Sequence, residues 1–167
     1  MKRIFTGFLA ALAIISCSVP AFAEDVDMAG TAPNYTISIG EQTLDLSDLP
    51  QIPYEEGDTI MVPLRKIAEA LGYQVDWESE TGAITIEDAY VQKATLFNGT
   101  EKVVFEGKLQ IINMSREIDN SEKTVIHNGY TYVPVEFFKE FFNDITIDGT
   151  NITVSPSMCE LDTSDIE

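Results

Sequence analysis

A Val-Pro dipeptide followed by a helical pattern of apolar residues occurs twice in the chain, and this feature constrains the fold most. Val62-Pro63 opens the stretch VPLRKIAEALGYQVDW, and Val133-Pro134 opens the similar stretch VPVEFFKEFFNDITI. Proline fits the first turn of a helix, where its missing N–H is not needed, and it holds the preceding valine in extended geometry. Each stretch therefore predicts a strand that runs directly into a short helix.

The residues beyond each predicted helix change from helical spacing to alternation. Gly72 and Asn143 stand where a left-handed residue is expected to end each helix. Apolar and polar residues then alternate, around a polar turn in the first stretch and around Asp148-Gly149 in the second, which predicts a β-hairpin in each. The dipeptides Asn98-Gly99 and Asn128-Gly129 predict two further turns.

These patterns together predict an α+β fold. Its two strand–Val-Pro–helix–β-hairpin repeats, at about residues 35–87 and 90–154, are expected to form antiparallel sheet packed with two short helices around a shared core. The domain is predicted to span residues 34–154. Residues 24–33 are expected to form a flexible lead and residues 155–167 an acidic, solvated tail.

Residues 1–23 have the form of a secretory signal peptide. A charged start precedes an apolar run, and Ala21-Phe22-Ala23 gives the small-x-small pattern of a cleavage site between Ala23 and Glu24. Pro20 interrupts the run before it reaches the roughly 20 apolar residues of a membrane span. We therefore expect a secreted, cell-surface-associated protein whose mature form has no transmembrane segment.

A bacterial lipobox is the alternative interpretation of the same region, because Ile14-Ile15-Ser16 precedes Cys17. Lipidation would then anchor the protein at Cys17. Removal of residues 1–23 would instead leave Cys159 as the only cysteine, so that no internal disulfide could form. The role of Cys159 itself is left open by its position in the polar tail.

Charge limits the classes of partner. The chain has 28 acidic and 10 basic residues and a net charge of −18. Such a chain repels phosphate backbones, so the sequence predicts no binding to nucleic acid.

The first Val-Pro stretch, followed by GAITI at residues 82–86, resembles the copper amine oxidase N-terminal-like (stalk) domain of secreted Gram-positive bacterial proteins. HNGYTYVP at residues 127–134 resembles the phrase that opens a second copy in that family. The second copy departs from the pattern, with Glu136 in place of arginine and Asn143 in place of glycine. The resemblance covers about residues 35–154 and implies a non-catalytic extracellular module, often attached to other cell-envelope domains. Such a module implies cell-wall polymer or an envelope protein as the expected partner.

The histidine content of the chain and the residues around Tyr35 argue against copper chemistry. Copper amine oxidases need several histidine ligands and a tyrosine in an Asn-Tyr-Asp/Glu context. His127 is the single histidine of this chain, and Asn34-Tyr35 is followed by Thr36. Copper(II) favours nitrogen-rich sites, so we predict no catalytic residue, no cofactor and no metal ligand.

Two other functions stay open at this point. One is a small extracellular hydrolase that uses a pair of carboxylates. The other is a calcium-stabilised surface protein, with acidic and amide side chains around the two predicted hairpins, although neither set has an EF-hand spacing. Those side chains are Asp76, Glu78, Glu80, Asp144, Asp148 and Asn151.

Aromatic residues supply the candidate interface, which consists of Phe137, Phe141, Tyr130 and Tyr132. The two phenylalanines widen the apolar stripe of the second helix. Trp77, Tyr130 and Tyr132 alternate on strands, where they could stack on sugars or on a partner protein. The competing interpretation places Phe137 and Phe141 in the core between the repeats, with Trp77 also in the core.

Overall fold

The structure is a computed structural model that describes residues 33–89, 92–108 and 115–157. The predicted signal peptide, its cleavage site at Ala23 and Glu24, and both Cys17 and Cys159 lie outside the described residues. Strands account for 51% of the described residues and helices for 12%. The strands are β1 (Thr36–Ile39), β2 (Gln42–Thr43), β3 (Tyr54–Glu56), β4 (Thr59–Pro63), β5 (Gln74–Trp77), β6 (Ala83–Glu87), β7 (Gln92–Phe97), β8 (Lys102–Gly107), β9 (Ser115–Asp119), β10 (Val125–His127), β11 (Tyr130–Pro134), β12 (Asn143–Asp148) and β13 (Asn151–Pro156). The helical segments are α1 (Leu64–Ala70) and a 3₁₀ helix, η1 (Val135–Phe141).

Within the described ranges the strands form three sheets. Their orders are β12-β13-β1-β2, β10-β11-β4-β3 and β5-β6-β7-β8-β9. The third sheet is a meander in which every strand pairs antiparallel with the next one in sequence. The first sheet contains a parallel pair, because β1 aligns Ile37 with Ile152 of β13. β1, the first described strand, thus pairs directly with β13, the last one.

The predicted α+β class, with two equivalent repeats that share an antiparallel sheet, is wrong. The described residues are mostly β, and their strands divide among three sheets. The hairpin after α1 extends into the five-stranded meander, whereas the hairpin after η1 pairs with β1 in another sheet. Alternation in the sequence predicts that a strand has one buried face, but it does not specify which distant edge that strand joins.

The two Val-Pro strands lie side by side in the second sheet. β4 and β11 pair antiparallel, with Val62 opposite Val133. Both valines are fully buried. The two helical segments therefore leave this sheet from adjacent strands and run in different surroundings.

The second helical segment differs from its prediction. It forms a 3₁₀ helix, and its left-handed C-cap is Phe142, with φ of 58°, instead of Asn143. The Asn143 side chain is buried and donates hydrogen bonds to the carbonyl oxygens of Phe138 and Phe141, at 2.9 and 3.2 Å. These bonds satisfy carbonyls that the end of a helix leaves without an intrahelical partner. Gly72 has the positive φ, 84°, that its predicted position after α1 requires.

The core contains side chains from all three sheets and both helical segments. Leu64, Ile67 and Ala68 of α1 are fully buried, as the helical spacing predicts. In η1, Val135 and three phenylalanines are buried, so this segment is enclosed more completely than α1. Neither helical segment among the described residues has the length and apolar character needed to cross a bilayer.

Candidate functional site

A cleft of about 500 Å³ opens beside α1, and we call it the Trp77 groove. Its walls come from the first turns of α1, from β5 and β6, and from the β10–β11 hairpin. Trp77 and Tyr130 supply its aromatic surface, and Val75, Ile84 and Ile126 its aliphatic surface. The volume lies within the range of about 300–1,000 Å³ that is typical of small-molecule sites.

Trp77 is exposed in this groove, although its position on a strand with one apolar face favoured burial in the core. Val75 and Trp77 share a face of β5, yet Val75 is 6% exposed and Trp77 is 60% exposed. Arg65, the second residue of α1, reaches β5 at Val75 and donates a hydrogen bond of 2.8 Å to its carbonyl oxygen. Trp77 lies two residues further along the strand and lines the groove.

Tyr130 is brought to the groove by the turn before it. Asn128 and Gly129 both have positive φ, 50° and 85°, as the tight turn of a two-residue hairpin loop requires. The hairpin pairs His127 with Tyr130, and both side chains are exposed. The predicted Asn-Gly turn is therefore present, and it positions an aromatic ring across the groove from α1.

Tyr132 does not join this surface. It is fully buried, its hydroxyl donates to the carbonyl oxygen of Gln51, and its ring lies 5.8 Å from that of Tyr54. Burial raises the pKa of the Tyr132 phenol. The prediction that Tyr132 belongs to the interface is therefore wrong, because its side chain is buried in the core.

Phe137 and Phe141 are also excluded from an exposed interface. They are 1% and 3% exposed, and their ring centroids lie 5.6 Å apart. Phe105 of β8 packs against both, at 6.2 and 5.5 Å. The Arg116 guanidinium covers the Phe105 ring at 4.4 Å. The predicted patch on the second helix is therefore part of the core, where aromatic side chains at helical spacing usually lie.

Charged side chains at the groove are arranged in pairs. The Arg65 guanidinium lies 3.3 Å from Glu69, and the Lys66 ammonium lies 2.8 Å from Asp48. The hydrogen bond to Asp48 raises the pKa of Lys66. These two cations and two anions give the groove a neutral rim in a chain with a net charge of −18. Asp48 lies far from the other residues in sequence, so no local pattern could have assigned it to this site.

A second, smaller cleft contains carboxylates. It measures about 340 Å³, and Asp119, Glu136 and Glu140 are among its lining residues. Glu140 accepts a hydrogen bond of 2.6 Å from Arg116. Across residues 33–89, 92–108 and 115–157, no group of three or more histidine, cysteine or acidic side chains is placed to hold a metal ion.

The comparisons with known proteins agree with the resemblance in the sequence. The sequence model of the copper amine oxidase N-terminal domain matches residues 39–155. A Brevibacillus choshinensis protein named "Protease inhibitor" is 29% identical over 158 residues, which cover 92% of this chain and 43% of that protein. The chain thus spans less than half the length of this relative. No solved structure matches the chain.

Proposed function

We propose that this chain, which belongs to the copper amine oxidase N-terminal domain family, is an exported, non-catalytic binding module of a bacterial cell surface. The family membership supports a module without an active site of its own. The signal-peptide pattern of residues 1–23 supports export. The Trp77 groove supports a binding role over that of a simple spacer.

The exposure of Trp77 carries this proposal. A tryptophan that is 60% exposed leaves a large apolar surface in water, and that surface is stabilised when a ligand covers it. Tyr130 lies in the same groove and is also exposed. Aromatic side chains in a concave site, with a few convergent polar groups, are the usual composition of a ligand pocket.

The polar groups of the groove suit the binding of a ligand. Asp48 forms an ion pair with Lys66, and Glu69 forms one with Arg65. Carboxylate oxygens accept hydrogen bonds, and ammonium and guanidinium groups donate them. The rim of the groove can therefore both donate hydrogen bonds to a ligand and accept them from it.

Retention on purified bacterial cell wall tests the proposal. We expect the wild-type protein to sediment with the wall and Trp77→Ala to remain in the supernatant. Phe97→Ala is the matched control, since Phe97 is an aromatic residue that is 40% exposed and does not line the groove. Failure of the wild type to bind, or equal retention of Trp77→Ala, would contradict the proposal.

Inhibition of a protease is a second candidate function, suggested by the name of the Brevibacillus relative. One feature favours it: Ile52 is 39% exposed in a segment without strand or helix, between Pro50 and Pro53. The prolines restrict the backbone, and Tyr132 holds Gln51 through a hydrogen bond. A surface segment that is held in place in this way and exposes an apolar side chain suits the substrate cleft of a protease.

A comparison of two isoleucine variants tests this candidate. If the segment inhibits a secreted serine protease, Ile52→Asp is expected to weaken inhibition about tenfold or more, as for a central interface residue. Ile147→Asp is the matched control, since Ile147 is 44% exposed on β12. Absence of inhibition by the wild type across several protease classes would exclude this candidate and leave the groove proposal unaffected.

A further inference from the structure

We infer that the ligand of the Trp77 groove is an uncharged, β-linked pyranose oligosaccharide of the glucose or N-acetylglucosamine type. This inference rests on the proposed binding function and adds the chemical class of the ligand. Three features of the groove carry it: its aromatic faces, its neutral rim, and the hydrogen-bonding groups that remain available on that rim.

The aromatic faces match one side of such a sugar. In glucose-type rings the hydroxyl groups are equatorial, so the C–H groups form flat apolar faces above and below the ring. The π-face of an aromatic ring is electrically negative and attracts these slightly positive C–H groups. Trp77 is exposed at the groove for 60% of its surface and Tyr130 for 36%.

The neutral rim selects against charged ligands. Arg65 is paired with Glu69 and Lys66 with Asp48, so no unpaired charge of either sign is offered by these four side chains. A phosphate or uronate polymer would also approach a chain with a net charge of −18, and like charges slow and weaken association. An uncharged ligand needs no unpaired charge on the rim and is not repelled by the net charge of the chain.

The hydrogen-bonding capacity of the rim suits hydroxyl groups, which both donate and accept. Among the described residues Arg65 forms hydrogen bonds through its Nη1 alone, to Glu69 and to the Val75 carbonyl oxygen. Its Nε and Nη2 groups therefore keep their donors for a ligand. The Glu69 and Asp48 carboxylates are more than half exposed, at 56% and 58% of their side-chain surface, and keep acceptor oxygens towards solvent.

Fluorescence offers a direct test, because Trp77 is the single tryptophan of the chain. The purified protein is titrated with the β-1,4-linked hexamer of N-acetylglucosamine, while the emission of Trp77 is followed. We expect a saturable change in emission. Tyr130→Ala, which keeps the reporter, should weaken the apparent affinity about tenfold, and Phe97→Ala should leave it within about twofold.

Two further ligands separate the alternatives. Hexagalacturonate has sugar rings but carries a charge on each, and we expect it to bind more weakly than the uncharged hexamer. A neutral alanine–glycine peptide of similar length is expected to leave the emission unchanged. A response to the peptide in place of the sugar, or equal responses of wild type and Tyr130→Ala, would overturn the inference.

The outcome can be distinguished from that of the wall-binding test. Retention on cell wall, without any response to neutral oligosaccharides up to several millimolar, would overturn the inference about the ligand and leave the binding function in place. If the protein is neither retained on cell wall nor responsive to the oligosaccharides, both the binding function and the inference about the ligand are overturned. A response to the hexamer that disappears in Tyr130→Ala would support both.

Discussion

The two helical segments, α1 and η1, each follow a Val-Pro dipeptide, but their surroundings differ. α1 buries one face and keeps Arg65 and Glu69 in solvent beside the Trp77 groove. η1 buries Val135 and three phenylalanines, and its exposed side consists mainly of Lys139. α1 thus lies beside a solvent-exposed groove with aromatic walls, and η1 lies in an aromatic core.

This difference shows that aromatic content alone does not identify a binding surface. The five phenylalanine and tyrosine rings around η1 contact one another at centroid distances of 5.3 to 6.2 Å. Trp77, in contrast, is mostly exposed and lines the groove. Rings at the η1 end should therefore contribute to stability, and rings at the groove to binding.

The largest effect is expected from Phe137→Ala. Because Phe137 is 1% exposed and contacts three other rings, its truncation should lower the free energy of unfolding by about 3–5 kcal/mol. Urea denaturation followed by circular dichroism measures the change. Phe97→Ala, at an exposed ring, should cost much less. Equal losses for the two variants would contradict the buried position of η1.

A smaller effect is expected from Asn143→Ala. This change removes the donor that serves the carbonyl oxygens of Phe138 and Phe141, and a buried acceptor without a partner costs about 1–3 kcal/mol. Chemical denaturation gives the loss. Asp144→Ala is the control, because Asp144 is the exposed neighbour on β12. If both variants are equally stable, the Asn143 side chain does not cap η1.

At alkaline pH, loss of the phenolic proton of Tyr73 should lower the stability of the aromatic core around η1. Burial raises the pKa of Tyr73 above its ordinary value of 10.0, so the unfolded chain loses this proton at lower pH than the folded one. The stabilising contribution is therefore complete below pH 10.0 and is lost as pH rises through the folded pKa. Thermal melts from pH 8 to pH 11 should show a smaller alkaline decrease for Tyr73→Phe than for wild type. An unchanged pH profile would argue against this assignment.

The smallest effect on stability is expected from Trp77→Ala. Since this side chain is mostly exposed, the free energy of unfolding should change by no more than about 0.5 kcal/mol. The same denaturation experiment used for Phe137→Ala measures it. A loss as large as that of Phe137→Ala would mean that Trp77 belongs to the core and that the comparison between the two regions fails.

Local features of the fold could be predicted from the sequence, and nonlocal ones could not. The Asn128-Gly129 turn, the positive φ of Gly72 and the buried face of α1 depend on residues close together in the chain. The partition into three sheets depends on pairings such as Ile37 with Ile152. Apolar alternation carries no information on such distant partners, so the predicted α+β class was wrong.

For the same reason, only the local part of the candidate site could be predicted from the sequence. Tyr130 lies at a turn that the sequence identifies, and it does line the groove. The sequence spacing of Phe137, Phe141 and Tyr132 would be the same if these residues lay at the surface. They are buried because side chains from other elements of the fold cover them. The exposure of Trp77 depends on which elements of the fold surround β5, and no spacing in the sequence specifies them.

Quenching of Trp77 fluorescence by acrylamide, with and without purified cell wall, shows whether a wall ligand covers Trp77. The single tryptophan makes the signal specific to the groove. We expect efficient quenching of the free protein, because Trp77 is 60% exposed, and protection from quenching once the wall is added. A tryptophan that is shielded in the free protein, or one that stays fully accessible in the wall-bound protein, would show that the Trp77 groove is not the binding site.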